Sequence, residues 1–198
     1  MSVHGASAQE MFSGTKEVAE THKFNEDNLF QWMTENVEGF EGPMDVRQFK
    51  GGQSNPTFKI ITPKKAYVMR RKPPGQLLKG AHAIEREYRV IRALGAAGFP
   101  VAKAYALCED ADVIGTAFYV MDMVEGRIFW DSTLPGLDPA DRARHFDAMN
   151  ATIAQLHAID PVAAVLRGPV FDVSFRRSMV FMFPRFWHHW SYRSIFTN

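Results

Sequence analysis

A carboxylate stands where one helix of this chain can least tolerate it. The run 83–97 has helical periodicity, with Ile84, Tyr88, Ile91 and Leu94 recurring at spacings of four, three and three. Glu87 lies on that apolar stripe. Its neighbours at −4, −3, +3 and +4 are Ala83, Ile84, Val90 and Ile91, none of them polar. Burying a carboxylate there is costly unless a cation meets it across the interface. The chain must therefore fold so that a basic side chain from another element arrives opposite Glu87. Glu85 makes no such demand, because Arg89 four residues on can pair with it at the helix surface.

The basic residue is expected from a strand upstream. Val46 to Lys50, Thr57 to Ile61 and Ala66 to Arg71 read as short strands. The stretch Gly51-Gly52-Gln53-Ser54-Asn55 and the turn Thr62-Pro63-Lys64-Lys65 separate them, which gives a small antiparallel meander. Alternate residues of a strand share a face, so Val68 and Arg70 lie together. Arg70 is then the partner for Glu87, while Arg71 and Lys72 read as a solvated cationic strand end. A helix from Glu26 to Val37, with Leu29, Trp32 and Met33 on one side, precedes the meander. Residues 1–24 are small and polar and read as a flexible N-terminus.

After the Glu87 helix, closed by Gly98 and Pro100, two further strands are expected at Ala104 to Cys108 and Ala117 to Met121. An acidic turn near Asp110 and Asp112 joins them. Asp138 as N-cap and Pro139 at the first helical position start a last helix, with Phe146, Met149, Ile153 and Leu156 as its apolar face. Asp160-Pro161 stops it.

Several of these segments suit a nucleotide. Gly51 and Gly52 would let backbone amides approach phosphate oxygens, with Ser54 and Asn55 adding polar contacts. Two glycines in a hairpin more often mark only a tight turn. Val68 suits the face of an adenine ring while Arg70 reaches toward phosphates. The run Phe118 to Gly126 is a buried strand leading into an extended linker and a glycine turn. Backbone groups of Asp122, Met123 and Val124 can bond an adenine edge, with Met121 packed behind it, although a methionine there, read alone, is most often core.

In their order these segments resemble the aminoglycoside phosphotransferase and choline kinase-like superfamily. The likeness is greatest to the phosphotransferase domain that occurs alone in bacteria and fused to some acyl-CoA dehydrogenases. It rests on Gly51-Gly52-Gln53-Ser54-Asn55-Pro56-Thr57, on Tyr67-Val68-Met69-Arg70-Arg71-Lys72-Pro73-Pro74-Gly75 and on Ala81 to Val90. It continues through Pro100-Val101, Ile114 to Met121, Glu125-Gly126-Arg127 and Leu156-His157. The resemblance implies an α+β fold: a protein-kinase-like N-lobe, an antiparallel sheet plus helix, with only the beginning of the helical C-lobe. It implies ATP with Mg2+, and γ-phosphoryl transfer to the hydroxyl of a small molecule. Gly51, Gly52 and Ser54 match the phosphate loop, Glu87 the helix partner, and Asp122 to Val124 the adenine linker. Arg70 falls where many relatives carry lysine, and a planar fork replaces a point charge. The domain so implied covers 25–166.

The resemblance also implies a catalytic aspartate in His-Gly-Asp, an asparagine five residues after it, and a later metal-binding Asp-x-Asp/Glu. His145-Phe146-Asp147 approximates the first, but Thr152 stands where the asparagine belongs and the segment is mid-helix. His157-Ala158-Ile159-Asp160 has the wrong spacing, and His157 reads as a helix-end packing residue. No catalytic and no metal-binding residue is assigned. The expectation is a truncated member of the family, without activity on its own. Its alternatives are a non-catalytic remnant that binds nucleotide or protein, and a gene-model artefact. Sugar, choline-like, aminoglycoside and hydroxyacyl acceptors all stay open.

Composition sharpens the break near Leu166. Residues 167–198 hold five arginines, one acid (Asp172) and nine aromatic residues, while the whole chain has a net charge of +1. The leading reading of this tail is translated sequence foreign to the domain. An interfacial membrane anchor and base stacking on aromatics beside arginines stand behind it, and His188-His189 has no acid or cysteine near it to complete a metal site. The overall charge points to neither nucleic acid nor membrane as partner. A single cysteine, Cys108, excludes a disulfide framework. With no signal-like apolar stretch at the N-terminus and no run of 18 apolar residues, a cytoplasmic protein is expected.

Overall fold

Alternating burial along short segments builds a six-stranded antiparallel sheet. In this computed structural model the described residues are 13–51, 55–75, 82–129 and 131–160. The strands are β1 (Thr15–Lys16), β2 (Asp45–Phe49), β3 (Thr57–Ile61), β4 (Ala66–Arg71), β5 (Ala104–Cys108) and β6 (Phe118–Asp122). Their order across the sheet is β1-β2-β3-β4-β6-β5. The helices are α1 (Glu26–Asn36), α2 (Ile84–Ala96), α3 (Ala111–Ile114) and α4 (Pro139–Ala158). The architecture is the kinase-like N-lobe anticipated from the sequence, with strand and helix limits within one residue of those read from periodicity.

Besides a single 3-10 turn at Glu20–His22, two elements were not anticipated. The acidic turn is the short helix α3, started by Asp110, whose carboxylate accepts from the Asp112 amide at 2.9 Å. It ends at Gly115, where φ is +87° and a side chain would be strained. Residues 13–24, read as flexible, contribute the edge strand β1, with Thr15 opposite Phe49 and Lys16 opposite Gln48. Gln48 anchors the chain beyond β1: its Oε1 accepts from the Ala19 amide at 3.0 Å, and its Nε2 meets His22 Nδ1 at 2.9 Å. A two-residue pairing made by backbone groups leaves no apolar pattern for the eye to find.

The chain divides into two compact units. Among the described residues, one holds those from 13 to 92 together with 102–123, and the other holds 93–101 with those from 124 to 160. In the first unit one face of the sheet is the core. Val46, Phe58, Ile60, Tyr67, Met69, Phe118 and Val120 pack there with Leu29, Met33 and Val37 from α1 and its C-cap. Trp32 meets Phe118 edge-on, with ring centroids 4.7 Å apart. Strand alternation places Arg71 on this same face, and the reading of a solvated strand end is corrected: Arg71 is 2% exposed. Its guanidinium lies 5.4 Å from the ring of Phe24 and 5.7 Å from that of Phe58, and Nε and Nη1 are buried without a hydrogen-bond partner. Burial therefore pulls its pKa down with no anion to oppose the shift.

In the second unit α4 begins as expected, Asp138 accepting from the Asp141 amide at 2.8 Å. Its inner face differs from the expected one. His145, Thr152 and Leu156 are buried, whereas Phe146 is 44% exposed. Of the expected stripe Leu156 is buried and Met149 and Ile153 half-buried, so the error is confined to Phe146, whose neighbour His145 takes the inward position about 100° away around the helix. His157 is exposed rather than packed at the helix end. His145 is held by chemistry that hydropathy ignores. Its Nδ1 meets the Asp141 carbonyl at 2.7 Å and its Nε2 meets Arg127 Nη2 at 3.1 Å. A carbonyl can only accept and a guanidinium can only donate, so Nδ1 carries the proton and Nε2 the lone pair. Among the described residues no helix is long and apolar enough to cross a membrane.

Candidate functional site

Of the anticipated site residues, the opposite face of the sheet carries Val68, Arg70 and Met121. In β4, Val68 and Arg70 point the same way. The antiparallel register sets Met121 opposite Val68 and Tyr119 opposite Arg70. Thr57 of β3 flanks Arg70 on its other side. Pairing thus brings Val68, Arg70 and Met121 together, although about fifty residues separate the two strands in sequence. Val68 is buried and Met121 half-buried, an apolar surface beside a cation.

Helix α2 completes the arrangement. Its stripe residues Ile84, Tyr88, Ile91 and Leu94 are all buried, as the periodicity requires. Glu87 faces β4 and meets Arg70: Nε donates to Glu87 Oε2 at 3.1 Å, and Nη2 to Oε1 at 3.5 Å. The two side chains are only 12% and 15% exposed. A pair removed from water to this degree needs further hydrogen bonds to balance its desolvation. Two side chains supply them: Tyr119, which the sequence reading left out of the site, and Asn55, which it had turned toward the phosphates. The Tyr119 hydroxyl donates to Oε2 at 3.3 Å, and Asn55 Nδ2 donates to Oε1 at 3.1 Å. Burial comes first among the causes that hold the Tyr119 phenol far above its ordinary pKa. The Arg70 charge opposes that shift, and Glu87 adds to it.

Asn55 is itself anchored, its Oδ1 lying 2.8 Å from His82 Nδ1 just ahead of α2. Tyr119 was findable in the sequence, since it precedes Met121 by two residues and so shares its face. Asn55 and His82 were not, because their link depends on where two loops end. Glu85 corrects an expectation. Its carboxylate pairs with Lys72, at the exit of β4, while Arg89 Nε donates to the Glu85 backbone carbonyl at 3.3 Å. Lys72 thus belongs to a second strand-to-helix ion pair and not to a solvated strand end.

At the start of the linker, the Asp122 amide donates to the Lys103 carbonyl at 2.9 Å and the Met123 amide to the Ala66 carbonyl at 3.4 Å. Both amides are thus occupied within the sheet. The Asp122 side chain turns to the core face and accepts from the Tyr105 hydroxyl at 2.6 Å and from Lys65 Nζ at 3.2 Å. Lys65 lies 4.6 Å from the rings of both Tyr67 and Tyr105. Val124 is the first residue of the second unit after the linker. Gly51 is half-buried at the end of β2, while Gly52 and Ser54 lie outside the described residues.

The donor set fits a polyphosphate. Glu87 takes up Nε and part of Nη2, which leaves Nη1 of a nearly buried guanidinium for an anion. For a divalent metal the described residues offer no comparable fit: nowhere do three His, Cys, Asp or Glu side chains come together.

Comparison with known proteins gives a consistent picture. The family model described as "Phosphotransferase enzyme family" matches residues 45–178, and so extends past the composition break at Leu166. Human acyl-CoA dehydrogenase family member 11 is 44% identical over 160 residues, covering 79% of this chain and 20% of that protein. Mouse acyl-CoA dehydrogenase family member 10 is 47% identical over 125 residues, covering 63% of this chain and 12% of its own length. A crystal structure from Ralstonia eutropha, described as a putative aminoglycoside phosphotransferase, superposes with a TM-score of 0.63 at 53% identity. It covers 72% of this chain and 40% of its own. The chain spans about a fifth of the length of the human relative it matches.

Proposed function

Because the chain belongs to the phosphotransferase enzyme family, whose members carry out kinase-like phosphoryl transfer, we propose that its sheet-and-helix unit is the part that grips ATP. The observation that carries this reading is the Arg70–Glu87 pair, a basic strand residue held by a helix carboxylate with a guanidinium nitrogen left over. Phosphoryl transfer asks a protein mainly to position charge around the transferring group. Arg70 would bear on the α- and β-phosphates, Val68 and Met121 on the adenine ring, and Gly51, Gly52 and Ser54 on the phosphate chain. Glu87 keeps Arg70 aimed. Asp122, Met123 and Val124 form the strand end and linker against which the base would lie.

The reaction in view is transfer of the γ-phosphoryl group of ATP to a small-molecule hydroxyl. When bound, Mg2+ neutralises phosphate charge, and among the described residues no cluster of carboxylates is placed to hold it. Nor does the chain hold the His-Gly-Asp triplet that would position the acceptor. The chain by itself therefore binds nucleotide without turning it over.

Titration calorimetry of the purified chain with ATP and Mg2+ tests the first part, and saturable heat is expected. No heat at millimolar ATP would refute nucleotide binding. Incubation with ATP, Mg2+ and a panel of sugars, amino alcohols, aminoglycosides and hydroxyacyl compounds tests the second. Acceptor-dependent ADP release would refute catalytic silence.

A further inference from the structure

Asn55 and His82 form the outer half of the Glu87 network, and the chemistry of their partners fixes how both are oriented. The Glu87 carboxylate can only accept, so the Asn55 amide nitrogen must face it. The Asn55 carbonyl oxygen then faces His82, so His82 Nδ1 must carry the proton in that contact. Asn55 is 4% exposed and has little access to water in place of these partners. His82 adopts a left-handed backbone with φ of +56°, a conformation that a non-glycine residue keeps only when its surroundings impose it.

The grip of Arg70 on Glu87 is uneven. Nε sits at 3.1 Å, but Nη2 only at 3.5 Å, from the very oxygen that accepts from Asn55. Each oxygen of Glu87 thus accepts two donors, Oε2 from Arg70 Nε and Tyr119 and Oε1 from Arg70 Nη2 and Asn55, so Asn55 and Tyr119 fix the orientation of the carboxylate that Arg70 follows.

We propose that Asn55 and His82 are positioning residues that fix the Glu87 carboxylate, and through it the Arg70 guanidinium, so that Nη1 stays aimed at the triphosphate of a bound nucleotide. The proposal rests on the nucleotide-binding reading above. Without the Asn55 donor, Oε1 loses the contact that sets its orientation, and the carboxylate and the guanidinium it carries turn away from that aim. Affinity for phosphate falls while the surface for the base is untouched. Without the His82 donor, the Asn55 amide is free to turn and the same loss follows.

Calorimetry of the full chain with adenosine and with ATP separates these effects. The wild type is expected to bind ATP more tightly than adenosine. His82→Ala and Asn55→Ala are each expected to cut that preference about tenfold, the scale of one lost buried hydrogen bond, with adenosine binding changed by less than about twofold. His82→Asn is expected to restore the preference. Its amide nitrogen occupies the place of imidazole Nδ1, and asparagine tolerates the left-handed backbone. His82 is half-buried at a helix start, so its variants keep the fold and carry the test even if Asn55→Ala does not.

An unchanged preference in His82→Ala overturns the proposal. So does a parallel loss of adenosine and ATP, or a His82→Asn as poor as His82→Ala. A wild type that binds ATP alongside any of these leaves nucleotide binding standing and removes only the positioning role. A wild type that binds neither ligand removes both.

Discussion

Removing Glu87 exposes the energetics of the site most directly. Glu87→Leu deletes the acceptor for three side chains at once: Arg70, Tyr119 and Asn55. The Arg70 side chain is only 12% exposed, so little of its charge is returned to water. Leaving one member of a buried ion pair unpaired costs about 3–5 kcal/mol. For a chain of this size that lowers the melting temperature by about 10 °C. Arg70→Met is milder, about 2–4 kcal/mol, because Tyr119 and Asn55 still donate to the carboxylate. The double variant Arg70→Met/Glu87→Leu removes both charges and fills the space with apolar groups. It leaves only the Tyr119 and Asn55 donors unsatisfied, at about 1 kcal/mol each or a little more. The two changes together are therefore expected to cost less than their sum, by at least about 1.5 kcal/mol. Urea unfolding of the full chain, followed by far-ultraviolet circular dichroism, measures all four corners of the cycle, with m-values expected to stay constant. Additivity within about 0.5 kcal/mol would refute the coupling. A Glu87→Leu that costs less than about 1 kcal/mol would refute the premise that Arg70 depends on it.

Two other side chains make sharp predictions. Burial holds the Tyr119 phenol protonated well above its ordinary pKa of 10.0, so above that pH the unfolded chain releases a proton that the folded chain keeps. Stability must then fall as pH rises beyond about 10, and Tyr119→Phe should show a shallower alkaline decline; equal declines would sink the assignment. Arg71→Met removes a buried guanidinium with two unpartnered nitrogens while filling the space between Phe24 and Phe58. The lost cation–π attraction, about 1 kcal/mol for each ring, is offset by the desolvation that no longer has to be met. The melting temperature in low-salt buffer should hold or rise, and a drop equivalent to more than about 2 kcal/mol would show that Arg71 has a partner-like role.

Much of the fold was legible because it is written in short-range pattern. Alternation marked β3 and β4, glycine and proline marked the breaks, and Asp138-Pro139 marked the start of α4. The Arg70–Glu87 pair was legible for a different reason. A carboxylate on an apolar stripe is a local contradiction, and only a distant cation resolves it. Two departures share one cause: sequence neighbours are not the partners that these charged residues find. Glu85 has Arg89 close by in sequence but pairs with Lys72, across from strand to helix. Arg71 sits in a cationic run but goes into the aromatic core. On α4, Phe146 outweighs His145 on hydropathy, yet His145 is inside because a carbonyl and a guanidinium satisfy both of its nitrogens.

By itself, then, the sequence determined that α2 carries a carboxylate needing a partner, that β4 offers two adjacent arginines on opposite faces, and that a glycine-bearing turn precedes them. Periodicity fixes faces, and faces are a local property. Tertiary structure alone decided how Glu87 is satisfied. Antiparallel register put Tyr119 beside Arg70, and the meeting of two loop ends put Asn55 between Glu87 and His82. Those hydrogen bonds join residues 27 and 32 positions apart. A hydrogen bond depends on distances of a few tenths of an ångström, which only the packed chain sets.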